Sequence, residues 1–435
     1  MSNIAAPKLD RRDTRGGFLA AATGIAFGYA VVLAVLLCQH AWILAPGGLP
    51  MPSDFLAYRA AGIAALRGNP VLAYDPHAFH LLQISLAKPF SGYFYWNYPP
   101  LLFFITAPLA MLPYVPAFLL WVGATAAAYA TTMACIARRP EAIAAALASP
   151  IFLLAAYVGQ NGFLSAALIG GFLLCLRGRP IAAGFLLGLM MYKPQLGILL
   201  PLALIAGGHR RALCWAIVTT AIVACAATFT FGVDSYISFF RSLALASRSY
   251  LTLGGEGWAK IESMYSVARF LGAGDHVAWI VQVLTGALCA LGVIWFWRGD
   301  KPYELKAAGL VAATMLSIPY LHEYDFPVIL VAWAFLYRQR AFDRTEWLAV
   351  GAVNLLMAGF LAQLAPLGPI IVFITGALVL RRLPLFPAGG SSGFQNSHGR
   401  HTGCAPLLER FPAGLNRDSH WRWKGGVLAS DSAWD

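Results

Sequence analysis

Apolar stretches alternate with short polar connections along most of this chain. They fall at roughly 17–39, 115–137, 141–158, 161–176, 180–192, 196–207, 212–231, 276–297, 305–321, 326–337, 346–365 and 368–380. A helix of about 20 apolar residues crosses about 30 Å of hydrocarbon. The pattern therefore predicts an all-α polytopic membrane protein with about twelve transmembrane helices. The first run exceeds a signal-peptide core and lacks an Ala-x-Ala exit, so it reads as a retained span. The runs at 180–192 and 196–207 are short for crossings and meet at "YKPQ". Their junction is expected below the outer surface, with irregular backbone lining a cavity. "YPPLLFFITAPLAMLPYVP" (98–116) is apolar too, but its five prolines favour a short interfacial or re-entrant helix over a span.

Charge orients the pattern. Arg11–Arg12–Arg15, Arg138–Arg139, Arg177–Arg179, Arg210–Arg211, Arg298–Lys301–Lys306, Arg338–Arg340–Arg344 and Arg381–Arg382 fall on alternate connections. The other connections hold bases and acids in balance, which predicts an N-in, C-in topology. The expected organisation is a cytosolic tail (1–16), a membrane domain (17–382) with large outer connections at 40–100 and 232–275, and a Gly/Ser/His-rich cytosolic tail (383–435) that reads as disordered. Of the 435 residues 59% are hydrophobic and 11% charged, and the charged share is about half that of a soluble domain. The net charge of +12 sits in clusters between apolar runs, so it speaks for membrane orientation and against nucleic acid. Seven cysteines form no Cys-x-x-Cys pair, so neither a disulfide framework nor a zinc site is suggested. There is no Walker lysine, no dinucleotide glycine loop, no His-Glu-x-x-His and no Gly-x-Ser-x-Gly. No nucleotide cofactor and no metal site are expected, with the reaction's metal requirement left open. His398, His401 and His420 in the tail are given no metal role.

Four stretches concentrate candidate chemistry. Asp54 is the first charge after Arg15 and heads a short helix with Phe55, Ala60, Ile63 and Leu66 on its apolar side. It either completes the helix's first turn or acts as a general base at the membrane surface. "GQNGFL" (159–164) is a good tight turn, or else Gln160 and Asn161 bind sugar hydroxyls at a cavity mouth. Lys193 in "MYKPQ" either snorkels or holds a phosphate between two apolar half-spans. "SIPYLHEYDFP" (317–327) packs His322, Glu323 and Asp325 beside Tyr320 and Tyr324, richer than a turn requires. The loop charges Arg241, Arg248, Glu256, Lys260, Glu262 and Arg269 are expected to be mostly solvated. The aromatics Tyr93, Phe94, Tyr95, Trp96, Tyr98 and Trp258 suit an interfacial belt or a sugar-stacking surface.

In this order, "DFLAYRAAGIAALRGNPVLAYDP", "YPPLLFFITAPLAMLPY", "GQNGFLSAAL", "GRPIAAGFLLGLMMYKPQLGILLPL" and "SIPYLHEYDF" resemble glycosyltransferase family 87. The resemblance covers most of 17–382; the tail departs from it. It implies a GT-C membrane fold, a polyprenyl-phosphate sugar donor, a lipid or glycan acceptor, and a catalytic aspartate in the first outer loop, the position of Asp54. Lys193 and His322 are then expected at the donor phosphate, with Tyr58, Tyr98, Gln160, Asn161 and Glu323 around sugar or acceptor. Glu256, Glu262 and Asp325 are the reserve bases. The site is expected on the extracytoplasmic side of the cell membrane. A multi-span transporter or lipid-carrier flippase is the rival reading, and an inactive scaffold a third. Transporters place binding groups near the midplane between repeated halves, whereas these candidates gather at span ends and no repeat is visible.

Overall fold

Each apolar run becomes helix, and helix is the only extended regular structure among the described residues. The computed structural model describes residues 11–139, 141–255 and 257–383. The expectations for residues 1–10, for Glu256, and for the tail beyond 383 with its histidines lie outside these. In chain order the helices are α1 (Arg11–Cys38), α2 (Asp54–Leu66), α3 (Pro76–Leu86), α4 (Phe103–Ala110), α5 (Tyr114–Ala137), α6 (Glu141–Ala148), α7 (Pro150–Val158), α8 (Gly162–Cys175) and α9 (Pro180–Leu189). They continue with α10 (Leu200–Ala206), α11 (Arg210–Phe231), α12 (Val233–Ser247), α13 (Met264–Phe270), α14 (Asp275–Arg298), α15 (Tyr303–Ser317), α16 (Pro327–Gln339), α17 (Arg344–Gly359) and α18 (Gly368–Arg381).

Among the described residues five helices are long and apolar enough to cross a membrane: Gly16–Cys38, Tyr114–Ala137, Arg210–Phe231, Asp275–Arg298 and Arg344–Ala362. α6 and α7 make a sixth if they are one span bent by 65°. Pro150 explains the bend, since it has no N–H to continue the ladder of α6. The remaining runs form shorter helices, among them Gly162–Cys175, Pro180–Tyr192, Pro194–Ala206 and Gly368–Arg381. The run at 98–116 holds a 3-10 turn, α4 and the first three residues of α5, and α4 packs on α2. α1 also begins at Arg11, ahead of the apolar run.

The middle of the bundle is built from helices that are apolar all round. α8 buries Phe163, Ala166, Ile169, Phe172 and Leu173; α16 buries Val328, Ile329, Val331, Ala332, Phe335 and Leu336. A helix buried on every side needs no polar stripe. α11 and α14 lie outside and leave large apolar side chains uncovered, such as Ile222 (62% exposed) and Leu288 (70%), as a lipid-facing surface requires. α9 presses against α11 through Gly184 and Gly188. A Cβ at Gly184 would lie 2.5 Å from the Ala212 carbonyl oxygen, and one at Gly188 2.5 Å from Thr219 Cβ. This Gly-x-x-x-Gly spacing lets two backbones approach closely.

α2 departs from its expected amphipathic form. Phe55, Leu56, Ala57, Tyr58, Ala60, Ala61, Gly62 and Ala64 are all buried, while Leu66 is half-exposed. The reason is α4, which lies so near that a Cβ on Gly62 would stand 2.1 Å from the Thr106 carbonyl oxygen. Arg59 Nη1 then donates to the carbonyls of Ala110 (2.7 Å) and Leu112 (2.5 Å), satisfying the open end of α4. These contacts fix the helix that begins with Asp54.

Candidate active site

Six separate stretches converge on a cavity of about 510 Å³. They are the first turn of α2, the loop at 92–98, the α7–α8 turn, the break after α9, the loop from 249 to 260, and the turn at 320–325. Asp54 opens α2 on the cavity wall, half-buried. The N-cap is Ser53, whose side chain makes no capping bond. Burial above all holds the Tyr58 and Tyr98 hydroxyls well above the usual tyrosine pKa, so both stay protonated donors. Tyr98 adds to the rise at Tyr58, the Asp325 carboxylate adds to that at Tyr98, and Asp54 contributes least among these.

A continuous polar chain runs behind the wall. Lys193 sits in irregular backbone (φ −138°, ψ 71°) between two 3-10 turns. Its ammonium is paired with the Asp325 carboxylate and donates to Asn161 Oδ1 at 3.1 Å. It also lies 5.2 Å from the Tyr324 ring centroid. Two of its three N–H groups thus find partners among the described residues. Asn161, fully buried, gives its Nδ2 to Tyr58 Oη at 2.6 Å. Tyr58 and Tyr98 donate in turn to Gln160 Oε1 at 3.0 and 3.1 Å. Asn161 is therefore not on the cavity wall; Tyr58, Tyr98, Gln160 and Lys193 are.

The tight-turn reading of "GQNG" describes this segment, and its two amides are bonded to Lys193, Tyr58 and Tyr98. Gly159 closes α7 at φ +73°, a conformation glycine adopts without strain. A Cβ on Gly162 would stand 1.8 Å from the Tyr324 carbonyl oxygen. The glycines bring the turn against residues 322–325, and the amides between them join Lys193 to the tyrosines.

His322 is stacked on Tyr324 (centroids 5.0 Å apart, 21°) and meets Tyr320 edge-on at 4.7 Å. Its Nδ1 lies 3.8 Å from Glu323 Oε2. An isolated antiparallel bridge joins His322 to Ile261, and the Glu262 N–H donates to the Leu321 carbonyl at 2.7 Å. This pairing lays the 257–263 loop over the site and sets Lys260 on the cavity wall.

The expectation that the outer-loop charges are mostly solvated is corrected here. Arg241 and Arg248 are exposed. Glu262 is only 3% exposed and accepts the Gly368 N–H at 2.6 Å; burial pushes its carboxyl up to about 8. Arg269 lies 4.3 Å over the Trp258 ring and donates to the carbonyls of Ala273 and Thr252. Lys260 has no carboxylate within ion-pair distance among the described residues. Nothing local in the sequence marks these three residues, because their partners come from distant segments or from folded loop geometry. Among the described residues no group of three His, Cys, Asp or Glu side chains is placed to hold a metal ion.

The helices and this wall of carboxylates, cations, tyrosines and amides define a membrane protein built to receive a polar, charged ligand at the end of its bundle. Glycosyltransferase family 87 matches residues 96–319, just over half of the 435 residues, and the chain belongs to that family. It is a membrane glycosyltransferase. The matched stretch contains Tyr98, Gln160, Asn161, Lys193 and Lys260; Asp54 precedes it and His322 follows it. No curated protein and no solved structure matches the chain.

Proposed function

We propose that the protein transfers a sugar, mannose or another hexose or pentose, from a polyprenyl-phosphate donor to a hydroxyl of a lipid or glycan acceptor. Asp54 is the general base and the reaction inverts the anomeric centre. The observation that carries this reading is the shared cavity: a carboxylate at its wall, two lysines and a histidine beside it, and a row of hydroxyl and amide donors. In one displacement the acceptor oxygen attacks the anomeric carbon and its proton passes to Asp54. The bond from that carbon to the phosphate oxygen breaks, and the electron pair leaves with the polyprenyl phosphate. Lys260, the remaining N–H of Lys193, and His322 when protonated meet the growing negative charge, where exclusion of water strengthens each contact. Tyr58, Tyr98, Gln160 and Glu323 contact sugar and acceptor hydroxyls, and Asn161 acts from behind by holding Lys193.

The same reading gives the topology. Residues of the connections expected outside gather around this cavity, and those expected inside gather around an arginine-lined hollow. That segregation supports an N-in, C-in chain of about twelve traverses, several of them short or bent, in a GT-C arrangement. The cavity then faces the extracytoplasmic side of the cell membrane, and the donor enters sideways from the bilayer. The test is incubation of purified protein in proteoliposomes with radiolabelled polyprenyl-phosphate sugars and a membrane lipid extract. A new labelled product of inverted configuration is expected. Movement of the donor across the bilayer without transfer would overturn the reading in favour of transport.

A further inference from the structure

The opposite end of the bundle carries a second built feature. Arg138 and Arg139 follow α5, Arg177 follows α8, and Arg338 and Arg340 end α16; with Glu304 they surround a hollow of about 520 Å³. Through shared wall residues, Ala137, Arg139, Tyr337 and Ala341, it continues into a groove of about 960 Å³. That groove is mainly apolar, with Phe18, Met133, Leu330, Trp333 and Val350 along it.

Among the described residues the charges of the hollow are not balanced. Glu304 pairs with Arg338 at 3.4 Å, and Arg340 is taken up by Glu346 at 3.0 Å. Arg138, Arg139 and Arg177 have no carboxylate within ion-pair distance among the described residues. Arg139 and Arg177 lie instead over the rings of Tyr337 and Tyr303, each 5.5 Å from the centroid. Arg138 adopts φ +55°, a left-handed conformation uncommon for a residue with a side chain. Two acids border the groove, Glu141 and Asp343. Asp343 is committed to capping α17 and to Arg381 at 3.0 Å.

We propose that this hollow and groove bind one anionic phospholipid, its phosphate among Arg138, Arg139 and Arg177 and its chains along the apolar groove. The inference rests on the membrane reading of the chain but not on the donor or the base. Arginines that only orient a chain need no hollow, and none that opens at their own level into an apolar groove. α15 runs from Tyr303, beside the hollow, to Ser317, just before the cavity turn, a distance of about 20 Å. The lipid site is therefore separate from the cavity that holds Asp54. A lipid there would join the ends of α5, α8 and α16, and by binding the folded form it would stabilise the bundle.

Native mass spectrometry of the full-length protein, released from detergent, tests this with phosphatidylglycerol, phosphatidylcholine and inorganic phosphate as probes. The wild type is expected to retain one phosphatidylglycerol with about tenfold preference over phosphatidylcholine, as polybasic sites favour anionic headgroups. Arg138→Asn/Arg139→Gln/Arg177→Gln is expected to lose that preference while keeping sugar transfer and residual phosphatidylcholine retention; Asn is chosen because it tolerates the left-handed backbone. Equal retention of both lipids by the wild type would overturn the proposal, as would a preference that survives the triple change. Displacement of phosphatidylglycerol by millimolar inorganic phosphate would also overturn it, because the site would then be one for free phosphate. If the triple variant does not fold, the wild-type comparison of the two lipids and phosphate decides alone.

Discussion

Two buried ion pairs stand at the two ends of this molecule, and they are finished to different degrees. At the end that holds the arginine-lined hollow, Arg382 meets Glu346 through Nε and Nη2, both at 2.7 Å, and its Nη1 is spent on the Leu336 carbonyl and neighbouring oxygens. Glu346 also closes a capping box with Asp343 at the start of α17. Each nitrogen of that guanidinium has a protein partner. At the end that holds the Asp54 cavity, Lys193 is paired with Asp325 and Asn161, yet it borders open space, as does Lys260. A saturated buried network serves the architecture, because it has nothing left to offer a ligand. An unsaturated one beside a cavity costs solvation and is where ligand chemistry belongs.

That contrast can be broken by substitution. Arg382→Leu removes the bidentate partner of the buried Glu346 and leaves it the half-exposed Arg340 at 3.0 Å, and the expected loss is about 3 kcal/mol of stability, the lower end for a broken buried pair. Turnover per folded molecule should be nearly unchanged; denaturant titration beside a transfer assay reads both. Lys193→Met should instead raise the donor KM roughly 10–100-fold, the worth of a hydrogen bond to a charged group. Adding Asp325→Asn should recover stability lost by the single change, since no unpaired carboxylate remains, without recovering the KM. Recovery of both by the pair would make Lys193 as architectural as Arg382.

A smaller effect separates Glu262 from the working carboxylates. The folded protein keeps its proton up to about pH 8, whereas the unfolded chain releases it near the ordinary 4.5. Between those values the folded state binds more protons, so raising the pH lowers stability, and above the folded pKa the effect levels off. From pH 7 to 8 the wild type should lose about 1 kcal/mol that Glu262→Gln does not lose. Parallel slopes in the two proteins would remove Glu262 from the account.

Much of this was legible in the sequence, for physical reasons. Asp54, "GQNG", "YKPQ" and "HEYD" each interrupt apolar sequence at a helix end, where a polar group must have a purpose or a partner. The run boundaries located the helices well, since apolar runs ended by Pro, Gly or Arg have few alternatives. Length was less legible. Pro150 splits the stretch 141–158 that hydropathy alone reads as continuous, whereas the break at "YKPQ" is one the short runs on either side of it did mark. The pairing of Lys193 with Asp325, 132 residues apart, and the burial of Glu262 against Gly368 were not legible at all. They depend on which outer turns meet, and that is decided by packing such as Gly162 against Tyr324. The amphipathic reading of α2 failed for the same reason: α4 covers the side that periodicity left to water.

The central claim is that Asp54 removes the acceptor's proton, and the transfer rate of Asp54→Asn at saturating donor tests it most directly. Asn keeps the shape and loses only the attraction of the charge to the first turn of α2, so a purely structural aspartate predicts a loss of about 1 kcal/mol of stability or less and near-normal turnover. A general base predicts a folded protein whose turnover falls about 10²–10⁴-fold. The account predicts the second result. A folded Asp54→Asn variant with near-normal turnover would contradict it.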